Sequence, residues 1–260
     1  MELVTSDPGR KLGEIMNENV ISVYSDTDQE EVANIARKYD LVSIPVVDKE
    51  GRLEGRITID DIMDVVEEEQ IEDISRMTGT SEEEVYEDSS FRISFLRLPW
   101  LITALIGEII AAFVISRYEG EITDLYTLPF FIPVITAMGG NVGMQSAAIV
   151  VRGLATGEVL VTEILVRLFR ELKVSLLNGL ILSAMIMLII YYWMNNPILC
   201  MIVGLGLFVV VVFTTLSGAF FPIMLKKMNI DPAVATGPFI TTSNDIFGLV
   251  IYFSIAKIFL

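Results

Sequence analysis

Five stretches of roughly 20 mostly apolar residues follow Leu96, each long enough to cross the hydrocarbon core of a bilayer as a helix. They lie at about 98–117, 128–151, 174–194, 198–221 and 235–258. The third and fourth run through Leu176 to Trp193 and Ile198 to Phe221 without a charged residue. A buried helix of a soluble domain imitates one such stretch, but hardly five in 260 residues with a mean hydropathy of +0.59. The expected fold class is therefore an α-helical membrane protein with a five-span domain.

Charge divides the chain further. Residues 1–90 hold 25 Asp and Glu against 8 Lys and Arg, whereas residues 91–260 hold 9 against 10. An acidic soluble part is thus joined to a nearly neutral apolar one, and the join falls near Ser89–Ser90. Such acidity repels nucleic acid and attracts cations, although a solvated acidic face explains the same counts. Cys200 is alone and His is absent, so oxygen ligands remain, which suit hard ions such as Mg²⁺ and Ca²⁺.

Residues 1–20 are polar and acidic where a cleavable leader needs a basic start and an apolar core, so the N-terminus is expected in the cytoplasm. Lys and Arg in the short loops agree. Arg92 and Arg97 precede the first span, Arg152, Arg167, Arg170 and Lys173 separate the second and third, and Lys226 and Lys227 follow the fourth. The other side has Arg117 and Lys257, with Glu119, Glu121 and Asp124 in its first loop. The expected topology is N-terminus inside and C-terminus outside.

Two spans carry polar chemistry. In the second, Pro129 and Pro133 precede Gly139, Gly140, Asn141, Gly143 and Gln145. Proline and glycine weaken a helix and free backbone carbonyls, which at membrane depth need protein or a watery cavity. Close packing through small residues is the other reading. Asn141 and Gln145, four apart on one face, favour a pore lining that includes Gly139 and Gly140. In the fifth span Asp245 lies in an apolar stretch one turn after Thr241 and Thr242. A central carboxylate costs about 2.5–3.5 kcal/mol to insert, so it faces a polar cavity or a partner, and no base in the segment supplies one. A passing cation fills that role; protonation or a hydrogen-bonded neutral form is the alternative. Glu108 in the first span is a second intramembrane acid, isolated from any polar motif.

The soluble part reads as β-α-β-β-α. A strand at Val20–Val23 leads to a helix from Asp28 to Tyr39 with Ser25 and Thr27 as candidate caps. A strand at Ser43–Val47 turns through Asp48–Arg52 into Leu53–Ile59, and a second helix opens at Asp60 or Asp61 and runs to Met77. This α+β unit, with Ser43-Ile-Pro-Val-Val-Asp48 and Gly55-Arg-Ile-Thr-Ile-Asp-Asp61, resembles a CBS motif. The resemblance implies Thr58 and Asp61 as contacts to the ribose of ATP or another adenine nucleotide, in a pocket that generally draws on two copies. The second helix carries Asp61, Asp64, Glu67, Glu68, Glu69, Glu72 and Asp73, like charges whose spacing destabilises a bare helix and which bound cations relieve.

The order of CBS unit (residues 1–59), acidic connecting helix (60–90) and five spans (91–260) strongly resembles the MgtE family of Mg²⁺ channels. The Gly139-to-Gln145 and Asp231-to-Gly248 sequences carry the likeness. It implies a plasma-membrane homodimer, held in the lipid bilayer, whose second and fifth spans line a pore for Mg²⁺. Asp245 is then the main ion-site carboxylate, Thr241 offers a backbone carbonyl, and Thr242 stands beside them. It also implies feedback by Mg²⁺ bound at Asp61, Asp64, Glu69, Glu72, Asp73 and Asp231, with Glu30 and Asp40 as further positions. Family members usually carry a helical N-terminal domain and two CBS copies; one copy is read here, so feedback is expected to be weaker or to use a CBS pair made across the dimer. Two rival readings stand beside this one. A membrane-bound CBS receptor would conduct nothing, and an intramembrane aspartyl enzyme would pair Asp231 with Asp245.

Overall fold

The computed structural model describes residues 7–16, 19–85, 87–159 and 164–260. Of the polar first twenty, residues 1–6, 17 and 18 therefore lie outside the described part. Two compact units are present, Met1–Glu69 and Gln70–Leu260.

In the first unit, β1 (Val23–Tyr24), β2 (Ser43–Val47) and β3 (Leu53–Thr58) form one sheet in that order, β1 parallel and β3 antiparallel to β2. The first strand is shorter than expected and begins at Val23. Its register sets Val23 opposite Val46, so the next pair would place Ser22 against Pro45, which has no N–H to extend the ladder. Helix α1 (Gln29–Tyr39) makes the crossover. Its cap is Asp28, which accepts from the Glu30 N–H at 2.9 Å, rather than Ser25 or Thr27. Thr27 instead accepts from the Tyr24 N–H at 3.1 Å and closes the preceding turn. In the hairpin Asp48 Oδ1 accepts from the Glu50 and Arg52 amides at 3.0 and 2.7 Å, and Gly51 takes φ +77°. The core joins Val23, Val32, Ala33, Ala36 and Ile44 to Ile62 of α2 (Ile59–Thr78), the second helix foreseen.

Among the described residues, the second unit holds five helices long and apolar enough to span a membrane. They are α3 (Ser90–Ser116), α5 (Ile132–Ala155, preceded by a 3₁₀ turn at Leu128–Phe131), α6 (Ile164–Met194), α7 (Pro197–Lys227) and α8 (Pro238–Phe259); α4 (Glu119–Asp124) is a short connection. Three of them outrun the apolar windows, because charged residues such as Arg92, Arg97, Arg167, Lys226 and Lys227 continue the helix while their long stems bring charge to the interface. The fifth starts later than expected, since Asp231 caps a separate 3₁₀ turn, Pro232–Ala235, and Gly237 at φ +64° divides it from α8.

The expectation of freed carbonyls in the second span is not met: α5 is continuous. Pro129 and Pro133 lie at the starts of the 3₁₀ turn and of α5, where no helical N–H is lost. The glycines serve close approach. A Cβ on Gly143 would strike the Asn244 side chain, and one on Gly218 of α7 would strike the Gly143 carbonyl. Helix α7 is the centre of the bundle, packed against α5, α6 and α8, while α3 lies on α8. Tyr252, fully buried, donates to the Leu128 carbonyl at 3.0 Å and ties α8 to the entry of the second span.

A buried ionic cluster joins α5 and α6. Glu171 pairs with Arg167 at 2.7 Å and accepts from Ser146 Oγ at 3.0 Å, with both charged side chains largely buried. Neither residue type is cheap at that depth without the other.

Candidate functional site

Asp245 lies on α8, half-buried, with Thr241 and Thr242 one turn earlier. Three helices meet there because small residues let them. Gly107 of α3 faces Thr242 so closely that a methyl would overlap the Thr242 methyl, and a Cβ on Gly140 of α5 would stand 3.9 Å from the Thr241 methyl. Glu108 follows Gly107 on α3. The Thr241 hydroxyl donates to the carbonyls of Gly237 and Pro238, each at 3.2 Å.

The rotation of α8 is fixed from behind. Asn244, only 2% exposed, accepts from Ser217 Oγ at 3.1 Å and fills the space that Gly143 leaves open. The adjacent Asp245 is thereby turned away from α7. Asn141 and Gln145 stand exposed one turn apart on α5, as their spacing suggested, whereas Gly139 is buried against α7, where a Cβ would stand 3.2 Å from Val210.

The acidic positions of the soluble part are found in separate local settings. Asp61 accepts from the Thr58 N–H at 2.8 Å and from the Thr58 hydroxyl at 2.6 Å. The acid reaching back to the residue before its helix is one half of a capping box. These bonds, side chain first and backbone second, hold the Asp61 carboxyl below its usual range. The stability they add is fully present above the ordinary carboxylate pKa and is lost as pH falls through the lowered value. With a chelator present, exchange protection of the Thr58 amide is expected to hold at neutral pH and fall in acid; protection that rises in acid contradicts this. Glu69 accepts from Gln29 Nε2 at 2.7 Å, and Asp64 is exposed. Asp40 caps the end of α1 at φ 51°, Glu30 sits in the first turn of α1, and Asp73 lies half-buried on α2.

Glu72 and Asp231 share a partner absent from the sequence reading, Arg76, which pairs with both. Among the described residues of one chain, no group of three or more acids gathers at metal-ligating range. The enzyme reading fares no better: Asp231 precedes α8, and at about 1.5 Å rise per residue Asp245 lies roughly 10 Å further along it, too far to share a proton.

Residues 132–255 match the MgtE family profile, described as a divalent cation transporter, and residues 12–68 match the CBS domain. The whole chain aligns at 38% identity with a magnesium transporter MgtE of Bacillus subtilis (strain 168). Proteins of the same name from Thermus thermophilus and Enterococcus faecalis align at 36% and 37%.

The chain belongs to the MgtE family.

It spans 57–58% of the length of those MgtE relatives. The matched MgtE segment holds all of α5 to α7 and most of α8, and so contains Asn141, Gln145, Thr241 and Asp245. It is a multi-pass membrane protein of a family of transporters, not of enzymes. Arg76 and Asn244 were missed in the sequence for different reasons. Arg76 is the one base between Arg56 and Arg92, a signal that was available. Asn244 sits beside Asp245 in a polar run, and only packing tells the buried member from the half-buried one.

Proposed function

We propose that this chain passes Mg²⁺ across the plasma membrane, with the N-terminus in the cytoplasm and the C-terminus outside. The observation that carries the reading is Asp245: a half-buried carboxylate in an apolar span, one turn after Thr241 and Thr242 on a helix locked by Asn244. Mg²⁺ dehydrates reluctantly and holds octahedral oxygen ligands, so one carboxylate, the Thr241 carbonyl and retained waters suit it. Glu108 follows Gly107, which packs on Thr242 one turn before Asp245.

Two chains contribute to one conduit in a homodimer, as the family resemblance implies. Mg²⁺ is then both cargo and gate ligand, acting through Asp61, Asp64, Glu69, Glu72, Asp73 and Asp231, with Glu30 and Asp40 at their edge. Closure requires tighter Mg²⁺ binding in the closed state than in the open one. These acids belong to both units of the chain, Asp61, Asp64 and Glu69 to the first and Glu72, Asp73 and Asp231 to the second.

Gating is tested with the chain in proteoliposomes and Mg²⁺ varied independently on the two sides. Influx is expected to fall as Mg²⁺ rises on the face carrying residues 7–85. Influx that ignores it removes the sensor and keeps the conduit, while no flux under any condition returns the receptor reading.

A further inference from the structure

The end of the connecting helix is fitted closely to the segment that leads into α8. Gly237 lies beside Met77, where a Cβ would come 2.5 Å from the Met77 carbonyl oxygen. Gly79, at φ +70°, lies against Pro238 and Trp100, at 3.2 and 3.4 Å from where its Cβ would be. At the same junction Arg76 reaches Asp231 with one terminal nitrogen of its guanidinium and Glu72 with the other. Asp231 is itself held, accepting from the Ala233 amide at 2.8 Å.

Two carboxylates on separate segments, joined by a positive group between them, form the arrangement that a bridging divalent ion also produces. Here the positive group belongs to the chain. A guanidinium presents a planar fork matched to carboxylates and, being tethered, acts at high effective concentration. A divalent ion has more charge but must first give up water. We infer that Arg76 is a built-in counter-ion that takes the place of a divalent cation between Glu72 and Asp231. The junction of α2 with the α8 entry thus stays joined without metal, and a divalent ion enters only by displacing Arg76. The inference rests on the proposed reading of Glu72 and Asp231 as Mg²⁺-responsive acids. It turns a site of that set into a competition between Mg²⁺ and an internal cation.

Trp100 touches Gly79 and reports on the junction. In the full chain carrying Trp193→Phe, Trp100 emission is followed against Mg²⁺ in detergent, in that background alone and with Arg76→Gln, Arg76→Lys or Arg76→Gln/Asp231→Asn added. With one positive charge removed from between two carboxylates, Arg76→Gln is expected to lower the Mg²⁺ midpoint by about tenfold or more. Arg76→Lys should stay within about threefold of the parent, since the charge is kept. Adding Asp231→Asn should reverse the gain. Equal midpoints for the parent and Arg76→Gln, a higher midpoint in Arg76→Gln, or no response in Arg76→Gln each overturn the inference. If Trp100 is silent while flux still falls with Mg²⁺, the inference alone is lost; if flux also ignores Mg²⁺, the reading beneath it is lost as well.

Discussion

Replacing Glu171 by alanine is expected to destabilise the membrane unit by about 3–5 kcal/mol, the usual cost of breaking a buried ion pair from one side. The arithmetic lies in what remains. Arg167 keeps its charge in a largely buried position, with its Nε already lacking a hydrogen-bond partner, and Ser146 loses its acceptor. Glu171→Gln keeps an acceptor for Ser146 and should cost less. Removing both charges together, as Arg167→Met with Glu171→Leu, should recover much of the loss, since an apolar pair of similar volume is often neutral. Thermal unfolding in detergent checks the series. A Glu171→Ala midpoint equal to that of the native chain would show that the cluster is solvated, against its burial.

The second large effect falls on the junction of α5 and α7. Gly218→Ala places a methyl against the backbone carbonyl of Gly143, which is not the far end of a flexible side chain and cannot swing aside. Overpacking of this kind costs about 1–3 kcal/mol. The strain should also be felt in transport, because Gly143 packs on Asn244, the neighbour of Asp245. Gly120→Ala is the matched control: nothing lies within 4 Å of a Cβ there, and Gly120 is helical, so alanine should be neutral or slightly stabilising. The same unfolding measurement separates the two. Equal midpoints would mean that α5 and α7 move apart freely.

These contacts mark where the sequence could be read and where it could not. The five spans and the β-α-β-β-α order were legible because each depends on a local pattern: length and hydropathy for the spans, alternation and turn chemistry for the soluble unit. The span ends were harder, since a helix carries on past the apolar window whenever long charged side chains can reach the interface, as at Lys226 and Lys227. The second span misled in an instructive way. Proline and glycine read as interruptions, yet a proline at a helix start costs no hydrogen bond, and a glycine between helices stabilises through proximity rather than weakening the helix that bears it. Both are properties of position, which composition does not carry.

The candidate site divides along the same line. Asp245, Thr241, Asn141 and Gln145 stand out in the sequence because polar residues are costly in an apolar span. What fixes them does not stand out. Gly107 set against Thr242 and Gly143 against Asn244 are pairings between distant segments. Arg76 pairs with an acid that lies beyond four of the five spans, and in the sequence Asp231 had Lys226 and Lys227 as its nearer charged neighbours. Among ion pairs, sequence proximity ranks partners poorly once helices are packed.

The proposed role of Asp245 in a Mg²⁺ conduit is tested most directly by Mg²⁺ uptake into proteoliposomes holding equal amounts of the native chain or Asp245→Asn. The substitution keeps size and removes the charge. An attraction of about 4 kcal/mol between unit charges at close range in a partly wet site implies a fall in uptake of at least tenfold, with unfolding midpoints unchanged. Uptake by Asp245→Asn equal to that of the native chain, at equal incorporation, would contradict the account, whatever the gate were then found to do.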